Sequence, residues 1–325
     1  MSLQAPPKNE SPSRAVGRIV ILVVLALAVG TIIYTAVTNQ RIDLTEDRRI
    51  EAVELADPTV VEGVRMNIVD SQSGSVPVVV LHDVDVTGGL ILSELSAALN
   101  SAGYRGVLVD LPGFGYSDRL PDPGAVHTVA GTGDLIAGLL ESRFDTPVVV
   151  VGVGFGGEVA AELAHTDPDL LAGLVMVDVD FWGRESLEVG LQELPWVGRA
   201  ATYTWETGGR FAVDSWSPYC DQGGWCPSDE QLAARGPILE LEDTTDSIWA
   251  FRRTPPAGAA PANFAEIDVP AAFVWSTQGP VSRENVDRVN EEMTDLIVVE
   301  SSSFQVHLED PGAIVETVAN LVPPA

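Results

Sequence analysis

A strand, a glycine-rich turn and a helix-forming stretch follow one another at Val148–Ala164, an arrangement that can expose a reactive side chain. The run Val148–Val151 contains only valine, which is typical of a buried parallel strand. In the sequence G-x-S-x-G, such a strand-turn-helix unit presents a serine hydroxyl on a strained turn. Here residues 152–156 read GVGFG, and Gly154 occupies the serine position. The pattern predicts the tight turn, but the serine hydroxyl oxygen that would attack a substrate is missing.

Histidines and carboxylates elsewhere are the other groups that such chemistry needs. Serine attack requires a base within roughly 2.6–3.2 Å of the hydroxyl and a third group that orients the base. His82 and Asp83 follow a valine-rich stretch, and His307 lies shortly after Ser301–Ser303 near the end of the chain. A carboxylate such as Asp83 would repel negative charge developing at the turn. Asp83 is therefore expected to be either a surface aspartate or a contact for a new ligand.

Three segments arrive in an order that resembles the α/β-hydrolase superfamily. Val78–Asp83 resembles the strand that leads into its His-Gly oxyanion segment, with aspartate in place of the glycine. Tyr104–Arg119, YRGVLVDLPGFGYSDR, resembles its next strand and D-x-x-G-x-G-x-S loop. Leu308–Pro311 resembles the segment that opens its last helix. The resemblance covers about residues 59–322 and implies an α/β fold, with a mostly parallel central sheet flanked by helices and an inserted lid.

The resemblance also assigns the three positions of a catalytic triad. In this chain, none of the three residues has a side chain that can act as an acid, a base or a nucleophile. The resemblance aligns Gly154 with the nucleophile, Gly279 with the acid and Phe304 with the histidine. The expectation is that the chain has no catalytic residue.

A residual pocket of His82, Asp83 and Phe155 is expected beside the degenerate triad. The resemblance implies that His82 holds the loop after its strand. The alternative is an active hydrolase, esterase-like or lipase-like, that uses non-standard residues such as Asp83 or a relocated base at His307.

An uncharged apolar stretch near the N-terminus predicts a membrane anchor. Ile19–Val37 is nineteen residues long, and at 1.5 Å per residue it spans about 28 Å, close to the roughly 30 Å core of a bilayer. A signal peptide cleaved near Ala28-Val29-Gly30 is the alternative, but the apolar run continues beyond it. The expected organisation is a cytoplasmic tail at 1–14, a transmembrane helix at 15–38, a juxtamembrane connector at 39–56 and the α/β domain at 57–325, with its lid at about 181–263.

The net charge of −29 and the single lysine, Lys8, exclude a nucleic-acid-binding protein, because the surface would repel phosphates.

Cys220 and Cys226 are the only cysteines and are separated by five residues, which favours a disulfide in an oxidising compartment over a metal site. No metal or cofactor is expected. We therefore expect the domain on the outer side of a bacterial cytoplasmic membrane, with the N-terminus inside.

Six of the seven tryptophans fall in the predicted lid. Trp216, Tyr219 and Trp225 surround the cysteine pair, and aromatic residues of this kind often carry the affinity of protein interfaces. They are candidates for contact with a partner in a membrane complex, and the alternative is that they fill the core of the lid. The sequence as a whole predicts a non-catalytic, membrane-anchored accessory subunit or a binder of an apolar ligand.

The cysteine pair can be tested by mass spectrometry of protein isolated without reductant. The peptide or peptides that contain Cys220 and Cys226 are expected to show a deficit of about two daltons, because oxidation of two thiols removes two hydrogens. Ready alkylation of both cysteines in the native protein would contradict the bond and the outer location.

Overall fold

The computed structural model describes residues 12–50, 53, 55, 57–122, 124–182, 194, 197–207, 225–254 and 263–324. The strands are β1 (Thr59–Val61), β2 (Val64–Met66), β3 (Ile68–Asp70), β4 (Pro77–Leu81), β5 (Arg105–Val109), β6 (Val148–Val153), β7 (Leu171–Val177), β8 (Ala271–Ser276) and β9 (Ile297–Ser301). The helices are α1 (Pro12–Thr45), α2 (Ser93–Ser101), α3 (Val129–Arg143), α4 (Phe155–Thr166), α5 (Val197–Thr207), α6 (Asp229–Leu239), α7 (Thr244–Arg253), α8 (Arg283–Glu292), α9 (Val306–Glu309) and α10 (Pro311–Leu321).

The central sheet has the order β3-β5-β4-β6-β7-β8-β9 in the described part of the chain. Only β3 runs antiparallel to its neighbour, and the remaining pairs are parallel. The valines of β4 and β6 are buried, because apolar side chains pack against both faces of the sheet. The carboxyl ends of β4, β6, β7 and β8 meet at one edge of the sheet, and this edge positions the candidate site.

Helix α1 is long and apolar enough to cross a bilayer. Its large apolar side chains from Val16 to Val37 are exposed, unlike those of a helix in the core of a soluble domain. The helix continues to Thr45, whereas the sequence predicted a connector from residue 39. The extra turns are stabilised by packing of the end of α1 against α5 in the lid, where Arg199 lies 3.0 Å from Asp43.

Helix α6 of the lid begins, and helix α7 ends, with residues that favour a helix terminus. Helix α6 starts with a capping box, in which Ser228 Oγ accepts a hydrogen bond from the Gln231 N–H at 3.1 Å and the Gln231 side chain accepts one from the Ser228 N–H at 2.8 Å. Helix α7 ends with Arg252 and Arg253, whose positive charges favour a helix C-terminus. These helices lie between the end of β7 and the start of β8, which is where the resemblance placed the lid.

Glu46 connects the end of α1 to helix α7. Its carboxylate accepts hydrogen bonds from the Thr245 N–H at 3.1 and 3.2 Å and from the Thr245 hydroxyl. The residue is only 8 % exposed. Burial raises the pKa of Glu46 from its ordinary value to about 7, because these hydrogen bonds do not replace the hydration that the carboxylate loses.

The raised pKa of Glu46 predicts a pH-dependent loss of stability. Between the ordinary value of 4.5 and about 7 the folded state binds more protons than the unfolded state, so stability falls as pH rises through this window. Glu46→Gln keeps an acceptor for Thr245 and removes the charge. We expect the variant to be more stable than the parent protein at pH 8, by up to about 3 kcal/mol, with a much smaller difference at pH 5.

The measurement is the thermal unfolding midpoint of the detergent-solubilised protein at both pH values. Glu291→Gln, a change at an exposed position on α8, is the matched control and should follow the parent at both. A Glu46→Gln protein with the same pH dependence as its parent would show that Glu46 is not buried as a charge.

Candidate functional site

The turn between β6 and α4 has the backbone geometry of a nucleophile elbow. Gly154 has φ +51° and ψ −118°, a conformation that residues with a side chain rarely adopt. Its N–H donates to the Val177 carbonyl at 3.0 Å, which holds the turn against the neighbouring strand. The strained turn is therefore present, although glycine replaces the residue that would normally use it.

The carboxylate of Asp83 lies where the missing side chain would be. A Cβ atom built on Gly154 would lie only 2.2 Å from Asp83 Cγ and 2.4 Å from its Oδ1. Asp83 Oδ1 also accepts a hydrogen bond from the Phe155 N–H at 2.8 Å. In an elbow, the backbone N–H after the nucleophile is a donor of the oxyanion hole. A residue from the loop after β4 thus provides a carboxylate at the elbow of β6, and its side chain is exposed to solvent.

His82 holds the loop that carries Asp83. Its ring is fully buried, and Nε2 accepts a hydrogen bond from the Leu111 N–H at 2.9 Å. The proton is therefore on Nδ1, which donates to the Asp83 carbonyl at 2.5 Å. Phe155 supports the other side of the site, where its ring packs edge-on against Phe251 at 4.7 Å. Of the three residues of the predicted residual pocket, Asp83 alone presents a reactive group to solvent.

A second pair of titratable groups lies beside this carboxylate. His307 Nδ1 is 3.9 Å from Asp178 Oδ2, and the two side chains are 12 % and 8 % exposed. Within the described residues, His307 Nδ1 has no hydrogen-bond partner. Ser276 positions the aspartate, because its N–H donates at 2.7 Å and its hydroxyl at 2.6 Å to the Asp178 carboxylate. The Ser276 hydroxyl in turn accepts from the Val306 N–H at 2.8 Å, which connects the aspartate to the helix that bears His307.

Burial sets the protonation states of this pair. It lowers the pKa of His307 to about 4, with the Asp83 carboxylate acting in the opposite direction. Burial also raises the pKa of Asp178 to about 6, against hydrogen bonds from Ser276 and Val306, and Asp83 raises it further. At neutral pH the imidazole is neutral and the carboxylate is mostly ionised, the forms that a general base and its orienting acid require. Asp83 and Asp178 follow the carboxyl ends of β4 and β7, at the same edge of the sheet, and His307 lies 3.9 Å from Asp178.

The two other predicted triad positions lie near this site but supply no reactive group. Gly279 is in the turn after β8, where an added Cβ would come within 2.7 Å of the Phe304 carbonyl oxygen. There is no room for an acid at Gly279 in this backbone arrangement. The carboxylate comes instead from the adjacent strand, since Asp178 directly follows β7, and the imidazole comes from His307, three residues after Phe304.

Sequence reasoning assigned no role to Asp178. The signal that could have identified it is its position at the carboxyl end of a buried parallel strand, where open α/β sheets place their functional residues. Its φ of +49° belongs to the left-handed region, which aspartate tolerates better than most residues. The strand therefore ends at Val177, and Asp178 turns away from it.

The lid residues proposed as an interface are described only in part. Trp225 is half-buried, packs against the core and lines a cavity with Leu90, Ile91 and Arg235, so it contributes to lid packing. Trp216, Tyr219 and Cys220 lie outside the described residues. No cysteine in the described part of the chain is free, but the bond between Cys220 and Cys226 stays a prediction. Over the same residues, no group of three His, Cys, Asp or Glu side chains could hold a metal ion.

Comparison with known proteins agrees with the geometry of the sheet and elbow. A sequence profile described as "Alpha/beta hydrolase family" matches residues 78–317. The chain is 38 % identical over 87 residues to epoxide hydrolase B of Mycobacterium tuberculosis, a match that covers 27 % of this chain and 24 % of that protein. The chain thus spans about a quarter of the length of this curated relative.

Two solved structures extend the likeness to most of the chain at the level of the fold. An epoxide hydrolase from Vigna radiata superposes with a TM-score of 0.64 at 18 % identity, covering 82 % of this chain and 96 % of that one. A bacterial membrane phospholipase A superposes with a TM-score of 0.60 at 13 % identity, covering 95 % of this chain and 98 % of that one. From the profile match over most of its length, together with the parallel sheet and the elbow, the chain belongs to the alpha/beta hydrolase family.

Proposed function

We propose that this protein is an active hydrolase in which Asp83 replaces the nucleophile missing at Gly154. The observation that carries the proposal is the position of the Asp83 carboxylate, within 2.2 Å of the site of a Gly154 Cβ and hydrogen-bonded to the Phe155 N–H. His307 is the general base, and Asp178 orients it. This reverses the expectation of a degenerate site, because the loop after β4 and the end of β7 supply the groups that the three triad positions lack.

The chemistry that suits a carboxylate nucleophile is attack on a strained electrophilic carbon, and we propose an epoxide as the substrate class. A free Asp83 oxygen forms a bond to a ring carbon, the ring carbon–oxygen bond breaks, and the released alkoxide takes a proton from solvent. His307 then removes a proton from water, which attacks the carbonyl carbon of the resulting ester. The Phe155 N–H stabilises the negative charge that develops on Asp83 Oδ1. Release of a diol restores Asp83, and His307 returns its proton to solvent.

The names of similar proteins support this substrate class. Epoxide hydrolases occur both among the sequence relatives and among the structures of similar fold. The local chemistry supports it independently, since the neutral His307 can activate water at neutral pH.

We also propose that α1 is an uncleaved membrane anchor. Cleavage after Gly30 would leave Ile32, Ile33 and Val37 in contact with water, because the fold does not bury them and each is at least 58 % exposed. A bilayer around the helix accounts for these side chains. Arg14 and Arg18 before the span favour an inner N-terminus and an outer domain, in a cytoplasmic membrane.

A non-catalytic role, as accessory subunit or apolar-ligand binder, is the second candidate. It is favoured by the occupied hydrogen bond of the Phe155 N–H, because a carboxylate that fills this position closes the site to serine-type acyl transfer. A direct search for the ester intermediate separates the two candidates.

The covalent step predicts where the oxygen of the product originates. With enzyme in excess over styrene oxide, in water enriched in the heavy oxygen isotope, the first diol should contain ordinary oxygen and the label should enter Asp83. His307→Gln should stop at the ester, so that the peptide containing Asp83 gains the mass of the epoxide. Mass spectrometry of diol and peptide measures both results.

Asp83→Asn should form neither diol nor adduct, whereas Asp145→Asn, an exposed change before β6, should behave like the parent protein. Label found directly in the first diol would indicate attack by water and reject Asp83 as nucleophile. The absence of diol and adduct with every epoxide tried would favour the non-catalytic candidate.

A methyl group at the elbow should displace the carboxylate. Gly154→Ala places a Cβ within 2.2 Å of Asp83 Cγ, so we expect Asp83 to lose the Phe155 hydrogen bond and turnover to fall by at least about a hundredfold. Gly63→Ala is the matched control, because Gly63 has φ +87° and no atom within 4 Å of its built Cβ. Steady-state rates of both variants test the prediction, and a fully active Gly154→Ala protein would contradict it.

A further inference from the structure

Helix α5 of the lid is bound to the end of the apolar helix α1. The Tyr34 hydroxyl contacts the Ala200 carbonyl at 3.3 Å and the Thr204 hydroxyl. Farther along α1, Asp43 contacts Arg199 at 3.0 Å. Because Tyr34 belongs to the apolar part of α1 and Asp43 does not, α5 lies at the level where the apolar part of α1 ends.

The contacts also define which way each side of α5 points. Successive residues of a helix are rotated by about 100°. The Thr204 side chain contacts α1 at Tyr34, so the side of α5 that bears Thr204 faces the apolar part of α1. One further step of about 100° round the helix reaches Trp205, which shares its side with Ala201.

This side of α5 is not covered by the part of the domain that the structure describes. Thr202 and Glu206 are buried on the domain side of the helix, whereas Trp205 is 44 % exposed. Leu194, just before α5, is 48 % exposed. Tryptophan and apolar residues next to a membrane-spanning helix are suited to the boundary between headgroups and acyl chains, where the indole combines an apolar ring with an N–H donor.

Helix α5 is also connected to the loop that carries Asp83. Glu206 accepts from Arg252 at 2.8 Å and from Arg235 at 3.5 Å. Arg235 lies 3.8 Å from Asp85, two residues after Asp83. The domain side of α5, at Glu206, and the loop of Asp83 are therefore joined by two ionic contacts through a single arginine.

We propose that α5 rests on the surface of the bilayer, with Trp205 in the interfacial layer, and that the site receives apolar substrates dissolved in the membrane. The docking of α5 follows from its contacts with α1 and its exposed tryptophan. The substrate class rests on the proposed function and refines it to epoxides of long-chain, lipid-soluble compounds.

The docking is tested without any turnover. The full-length protein with Trp205→Cys, carrying a nitroxide and reconstituted in vesicles of phosphatidylcholine and phosphatidylglycerol, should collide more with oxygen than with a water-soluble nickel complex. Asp145→Cys is the matched control, because Asp145 precedes β6 and lies at the sheet edge opposite the site; it should show the reverse order. The parent protein treated with the same reagent gives the background from native cysteines. Equal access of the nickel complex at both positions would overturn the docking.

The substrate class is tested by comparing two epoxides. Trp205→Glu should raise the KM for a long-chain alkyl epoxide presented in vesicles roughly tenfold, the equivalent of about 1.4 kcal/mol of binding. Its kcat/KM for soluble styrene oxide should equal that of the parent, and Trp205→Phe should keep most of the activity on the vesicle substrate. Equal losses on both epoxides would reject delivery from the bilayer. If the parent hydrolyses neither epoxide, the proposed function fails, while the nitroxide result still decides the docking.

Discussion

The hydrogen bond from the Phe155 N–H to the Asp83 carboxylate joins the loop after β4 to the elbow after β6. It is available because Gly154 has no side chain, and the space in front of the elbow is therefore open to a residue from the neighbouring strand. The glycine at the expected nucleophile position also leaves the space that the Asp83 carboxylate occupies. A larger residue at position 154 and an aspartate at position 83 would exclude each other by steric overlap.

Burial governs the rest of the site. Burial keeps His307 neutral, whereas for Asp178 burial acts against the ionised form and the hydrogen bonds from Ser276 favour it. Asp83 is exposed by comparison. The exposed Asp83 carboxylate and the buried pair of Asp178 and His307 result from the positions of the three residues at the sheet edge.

Helix α1, the lid and the candidate site are connected by a series of contacts among the described residues. Arg199 bridges Asp43 of α1 and Asp246 of α7, and Glu46 accepts from Thr245 on the same helix. Arg235 then connects α5 with the loop of Asp83. These contacts connect the lid to α1 through charge-assisted hydrogen bonds. The position of the site relative to a bilayer would thus be set by α1.

The sequence by itself determined the fold and the elbow, because valine runs, glycine spacing and the segment Tyr104–Arg119 are local patterns that the parallel sheet and its turns require. It also indicated the apolar helix and the lack of reactive side chains at Gly154, Gly279 and Phe304. Only the tertiary structure decided that Asp83, Asp178 and His307 meet, since they follow different strands and are separated by 95 and 129 residues along the chain. Proximity across a sheet edge depends on strand order and register, which spacing along one chain does not encode.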